Sequence, residues 1–250
     1  MTLDLRNLVL TLVALAMAGA AFLLPAIYTV GNWIAPPPPA AVSAPIPPIV
    51  RAAIWARAGG AGTPRVEPLT SWSAFRFVIC MGVADALSAS RADAHARQEH
   101  CVEDHPGILM AEQISRLHLT ATKVIGTPRY PFSQVATAVR LTRERDVDSL
   151  LDILAATSAF GSKQWRGVNE ASTAFFGKDA GGLTAAEAAL LSVQIPDPAA
   201  LDPWCHPDRA RPERDEVLAK MKKNGALDKD SFESAVNAPL GVVAGHCGSR

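Results

Sequence analysis

Leu183-Thr184-Ala185-Ala186-Glu187-Ala188-Ala189-Leu190-Leu191 opens with a capping signal. The Thr184 hydroxyl can accept a backbone N–H of the first turn, while Glu187, three residues on, reaches back to the Thr184 N–H. The run therefore predicts the start of an alanine- and leucine-rich helix. Upstream, Phe175-Phe176-Gly177-Lys178 ends an apolar segment on a glycine suited to a helix C-cap. Downstream, Pro196, Pro198, Pro203 and Pro207 exclude a regular helix through their segment, because proline lacks the N–H and restricts the residue before it. Helical spacing resumes over Arg211–Lys223, with Val217, Leu218 and Met221 on one face and charges on the other. Asn224-Gly225 ends that helix, and Asp228 is placed to cap a last short one through Phe232, Ala235 and Val236.

The same stretch resembles the C-terminal part of the glycosyltransferase family 51 domain, the peptidoglycan polymerase module of bifunctional penicillin-binding proteins and monofunctional transglycosylases. That family carries G-V-E-A-A-x-x-Y-F-G-K, then L-T-x-x-E-A-A-x-L, spaced prolines, and R-x-x-V-L-x-x-M. Here the order is kept as Gly167–Ala171, Phe175–Lys178, Leu183–Leu190, the four prolines, and Arg214–Met221. The resemblance implies a mainly α, lysozyme-like helical domain, placed here over residues 65–240.

Further upstream, apolar spacing predicts helices near Trp72–Met81, Ile108–Leu119, Phe132–Leu141 and Val147–Ala156, with an exposed helix over Ser90–Val102. Leu150, Leu151, Ile153 and Leu154 are expected in the core. The family motif G-S-T-I-T-Q-Q-L-x-K-N falls on Gly107–Leu117, so that Glu112 and Gln113 stand at its two glutamines and Arg116 at its lysine. The motif R-K-x-x-E falls near Tyr130–Gln134 and puts Gln134 where the family has a functional glutamate. The resemblance thus implies substrate-binding roles for Glu112, Gln113, Arg116 and Gln134. The family motif S-K-D-E-I-L-E-L-Y-L-N falls on Asp146–Ala156, where the apolar frame and two acids are kept and the closing asparagine is Ala156.

The family's general base is the glutamate of E-D-x-x-F-x-x-H-x-G, which takes the acceptor hydroxyl's proton as a lipid pyrophosphate leaves. A carboxylate suits that task once burial raises its pKa towards neutrality. This chain has no glutamate between Glu67 and Glu99. Asp85 and Glu103, the latter beside Asp104, are the catalytic candidates; acids next to a helix start serve equally as caps. Arg116, Lys123, Arg140, Arg143 and Lys163 are the cations that could meet a pyrophosphate if they converge.

The formal net charge of zero excludes the basic field of a nucleic-acid binder. Leu8–Val30 is apolar, with no charge between Arg6 and Arg51, long enough for the roughly 20 residues that span a bilayer. A single transmembrane anchor with its N-terminus inside is expected over residues 1–34, against a cleaved signal peptide ending near Ala18-Gly19-Ala20. Residues 35–64 read as a Pro/Ala-rich linker and 241–250 as a tail. The main domain then lies in the periplasm, at the inner membrane.

Four cysteines allow three connectivities. The pairing Cys80–Cys101 with Cys205–Cys247 is favoured because each bridge joins segments near in sequence, with free thiols as the alternative. His95, His100, Cys101 and His105 match no common zinc spacing, so no metal or other cofactor is expected.

Two functions follow from different classes. One is a divergent membrane-anchored peptidoglycan glycosyltransferase acting on or binding lipid-linked disaccharide-peptide precursor. The other is an inactive relative that binds glycan strands or a cell-wall synthase. A lytic enzyme ranks last, since it needs a raised-pKa glutamate in a cleft, for which only Glu103 and Glu112 are placed.

Overall fold

The computed structural model describes residues 28–42, 44–70 and 107–248 without a break, with isolated positions between 19 and 26 and between 73 and 87, and Cys101. Their architecture is mainly helical: α1 (Pro48–Arg57), α2 (Ile108–Ala121), α3 (Tyr130–Glu144), α4 (Val147–Thr157), α5 (Gly167–Phe176), α6 (Ala185–Ser192), α7 (Pro207–Lys223) and α8 (Lys229–Asn237). Between α4 and α5 lies a short antiparallel hairpin, β1 (Ala159–Phe160) and β2 (Trp165–Arg166), pairing Ala159 with Arg166 and Phe160 with Trp165.

Local capping chemistry sets the helix ends. Thr184 and Glu187 form the full capping box of α6. Asp146 and Asp228 accept from the N–H of Ser149 and Ser231 at the starts of α4 and α8. Gly177 closes α5 in the left-handed region at φ 68°. α7 begins at Pro207, four residues before the charged run, because a proline in the first turn has no bond to lose.

α6 is the hub. Ala188, Ala189 and Leu190 are fully buried, and Ala186 and Leu191 nearly so, which leaves Glu187 in the first turn as the helix's one charged residue. It packs against α1, α7, α5 and α8. The presence of α1 here differs from the linker reading of residues 35–64. Val50, Ala53, Ile54, Trp55 and Ala56 are buried in the main core, and Pro48 starts the helix without cost. Ten residues flanked by a proline run gave too short a periodic signal for the sequence to separate this helix from the spacer.

The rest of that spacer is held along the domain. The buried Asp152 carboxylate of α4 accepts from the Ile46 N–H at 3.2 Å and from Arg51 Nε and Nη2 at 2.9 and 2.8 Å. Asp148 adds a second acid to Arg51 at 3.1 Å. The Asp152 bond chiefly raises the Arg51 pKa, with burial opposing it. Arg145 reaches the Pro39 carbonyl at 3.4 Å. Before the spacer, residues 28–34 are helical and lie on α3: a Cβ on Gly31 would sit 2.2 Å from the Phe132 carbonyl oxygen. The Arg143 guanidinium stands 5.8 Å from the Tyr28 ring centre.

No helix among the described residues is long and apolar enough to cross a membrane. Most of the Leu8–Val30 run, and most of the helices expected at Trp72–Met81 and Ser90–Val102, lie outside those residues.

Both favoured disulfides are formed, with Cα separations of 5.8 Å for Cys80–Cys101 and 4.8 Å for Cys205–Cys247. The second bridge pins the tail, where the Val243 N–H donates to the Phe175 carbonyl and Trp204 Nε1 donates to that of Val243. Arg214 of α7 is fully buried and caps α8 from outside. Its Nη1 donates to the Ala238 and Pro239 carbonyls and its Nη2 to that of Val236, supplying donors to carbonyls at the helix end, where N–H partners run out.

Two outcomes follow from these contacts. Asp152→Ala should lower unfolding stability by about 2–3 kcal/mol in denaturant melts, somewhat below a fully buried pair because Arg51 keeps some water contact. Glu187 supplies a pH dependence. Burial works against its charge, but Lys178 at 2.8 Å and the Thr184 N–H and hydroxyl outweigh that and hold its pKa below the ordinary value. Because the folded pKa is depressed, this stabilisation is complete above the unfolded value of about 4.3 and is lost as pH falls through the folded value. The Tm gap between the wild type and Glu187→Gln should be open at pH 7 and close below pH ~4.

Candidate functional site

The glutamine-rich motif lies on α2, which begins at Gly107 with φ 88°. A Cβ there would meet the Val66 side chain at 2.5 Å, so this start needs both the left-handed backbone and the absence of a side chain. From Gly107, α2 buries Met110, Ala111, Ile114, Ser115 and Leu119, leaving Glu112 and Gln113 half-buried and Arg116 exposed. α3 packs against it through small residues: Ser133, Ala136, Thr137 and Ala138 are all buried. Small side chains let two helices approach closely.

At that contact Gln134 Nε2 donates to Glu112 Oε1 at 2.8 Å. The buried Ser115 hydroxyl, one turn further along α2, donates to the Gln134 backbone carbonyl at 3.1 Å. Two bonds from one turn of α2 therefore grip Gln134 by side chain and backbone. Gln113 turns away, its Nε2 donating to the Ile195 carbonyl at 3.3 Å, which ties α2 to the loop after α6. Arg116 forms no ion pair among the described residues.

The structure thus joins Glu112 with Gln134, puts Gln113 next to them in a bracing role, and leaves Arg116 one turn on and open to solvent. The catalytic candidates Asp85 and Glu103 lie outside the described residues. Cys101 is bonded to Cys80, which removes the thiolate from the His95, His100, Cys101 and His105 set, whose histidines also lie outside them. Of the cations that could meet a pyrophosphate, Arg143 is occupied by Tyr28 and the Leu69 carbonyl, and Arg140 pairs with Glu144. Lys163 lies 5.8 Å from the Trp204 ring centre, beside the tail disulfide.

Sequence reasoning missed Ser115 and His118. Ser115 carries no charge or motif value, and its only signal is its place on the buried face of α2. His118, near the other end of α2, is half-buried. Burial chiefly lowers its pKa, while the Pro37 carbonyl favours its charged form, so the proline segment passes close to this helix.

Comparison with known proteins gives a family. The family described as Transglycosylase matches residues 109–222, just under half of the chain, from the first turn of α2 to the end of α7. Penicillin-binding protein 1A of Aquifex aeolicus is 34% identical over 105 residues, covering 42% of this chain and 14% of its own length. Penicillin-binding protein 1A of Streptococcus pneumoniae is 35% identical over 74 residues, covering 30% of this chain and 10% of its own. The matches thus span only a small part of those relatives. The crystal structure of penicillin-binding protein 1A from Haemophilus influenzae superposes at a TM-score of 0.35 with 23% identity, over 39% of this chain and 15% of that one.

Replacing Gly107 by Ala should cost about 1–2 kcal/mol for the left-handed backbone alone, more with the Val66 overlap. Thermal melts of that variant, with loss of helicity by circular dichroism, check it.

Proposed function

We propose, on the premise that residues 109–222 carry a glycosyltransferase family 51 transglycosylase domain, a divergent, membrane-anchored peptidoglycan glycosyltransferase-like protein. It acts on or binds the lipid-linked disaccharide-peptide precursor. One observation carries this reading: the family match runs unbroken from α2 to α7, so it takes in both the Glu112–Gln134 contact and the α6 core that supports it. The main domain works on the outer side of the inner membrane. Two disulfides support that placement, since such bonds persist in oxidising compartments, and the Leu8–Val30 run supplies the anchor.

A second reading rests on a specific observation. Gln134 stands at the family's glutamate, and an amide has no proton-accepting site of suitable pKa. An inactive relative that binds the cell wall or a synthase needs no such base.

The deciding experiment measures precursor binding and glycan-chain formation for the intact protein, Asp85→Asn and Glu103→Gln. Under the first reading the intact chain binds and polymerises, and one of the two substitutions lowers the rate by 100-fold or more, as loss of a general base does. Binding without polymer selects the inactive relative. Absence of both defeats the first reading, and pull-down on glycan strands then tests the second.

A further inference from the structure

We infer that residues 28–45 form a releasable strap, held on α2 and α3 by His118 and Arg145 and let go when His118 takes up a proton. The latch stands apart from the functional reading above; only its consequence for reach rests on the anchor in that reading.

The strap is lightly held. Of its described residues only Gly31 is buried, packed on Phe132 and Ala136 of α3. Beyond Gly31 the described chain is exposed or half-buried as far as Ile46, whose N–H is fixed by Asp152. The run Pro36 to Pro39 offers carbonyls and no N–H, so it bonds the domain only where the domain supplies a donor. Arg145 Nη2 does so at the Pro39 carbonyl, 3.4 Å away, and His118 does so at the Pro37 carbonyl. A segment with so few buried contacts opens well before the domain unfolds.

Both donors give up solvation in the closed form, because His118 Nε2 and Arg145 Nε are buried with no partner. The Pro37 contact of His118 therefore falls to Nδ1. In the neutral ring Nε2 is then a bare acceptor. A proton there turns it into the buried N–H of a cation with nothing to receive it, which is the costlier state.

No acid offsets that cost among the described residues. α2 packs on α3 and α4, whose charged groups are engaged elsewhere. Arg140 pairs with Glu144, Arg143 meets Tyr28 and the Leu69 carbonyl, Asp148 and Asp152 hold Arg51, and Asp146 caps α4. The Tyr130 phenol at the start of α3 brings no charge. On α2 itself Glu112 bonds Gln134, and Arg116 forms no ion pair. The strap carries no acid or base beyond the Tyr28 phenol. Burial accordingly holds the His118 pKa below its ordinary value, against the pull of the Pro37 carbonyl. Because the closed-state value is depressed, closure is strongest above the open-state value of about 6.5 and weakens as pH falls below it.

Release changes reach. Closed, the strap keeps the end of the helix at residues 28–34 against α3. Open, it hinges at Ile46, and residues 35–47 extend as a proline-rich rod of about 40 Å. Acid thus lengthens the tether between anchor and domain.

The test uses the full chain in detergent micelles, with spin labels on Ala40→Cys in the strap and Thr120→Cys at the end of α2. The four native cysteines are taken up by the two disulfides and leave the labels to the introduced pair. Distances are read by pulsed electron paramagnetic resonance at pH ~8 and pH ~5, which bracket the histidine range. With His118 in place, a short, narrow distance at the higher pH should give way reversibly to a long, broad component at the lower. His118→Gln should keep the short distance at both, since an amide takes up no proton in this range. Gly31→Leu should show the long component at both, since a side chain there overlaps the Phe132 carbonyl.

An unchanged distance between the two pH values with His118 present overturns the inference. So does a pH response that survives in His118→Gln, or a short distance that survives in Gly31→Leu. None of these results bears on precursor binding, so the functional reading is tested separately.

Discussion

The Asp152 carboxylate joins α4 to Ile46 and Arg51, 106 and 101 residues earlier in the chain. From α4 it takes the Ile46 N–H of the spacer and both donors of Arg51 on α1. A fork of two parallel donors onto one carboxylate fixes orientation as well as distance. With that bond in place, α1 can bury Val50, Ile54 and Trp55 in the main core, packed with α6 and α7. The chain before α1 is fastened too, at Pro39 by Arg145 and at Gly31 by close approach to α3.

The site helices depend on this arrangement at one remove. α2 packs on α3 and α4, and α4 is the helix that carries Asp152. Gln113 adds a bond from α2 to the carbonyl of Ile195, in the loop that α6 leads into. The Glu112–Gln134 contact is therefore braced from both sides by segments whose own positions are set by burial.

The far end of the domain is fastened by different chemistry. Arg214 carries a buried charge, which is costly to desolvate, yet its donors are matched by Asp215 and by three carbonyls at the end of α8. The Cys205–Cys247 bridge, Trp204 and Val243 then hold the tail on α5. The order of segments from Phe175 to Met221 is thus also an order of packing: each helix is met by the next one along the chain.

Local chemistry made much of the fold legible in the sequence. Thr184 with Glu187, Asp146, Asp228 and Gly177 mark helix ends by bonds formed within a few residues, and such bonds need no partner from elsewhere. The helices expected from Ile108 to Ala156 and from Leu183 onward were readable for the same reason. Tertiary structure alone decided the rest. Only three-dimensional packing turns Pro48–Arg57 into a core helix, because its apolar face has meaning only against α6 and α7. The β1–β2 hairpin has two residues per strand, too few for an alternating pattern to register. Glu112 and Gln134 are 22 positions apart, and nothing in either local sequence says that one bonds the other while Gln113 turns away to Ile195. Sequence by itself determined which residues match the resembled motifs and where the side-chain-capped helices begin. Which of those residues meet was decided by the packing of α2 on α3, since a contact between helices depends on the faces that burial turns together.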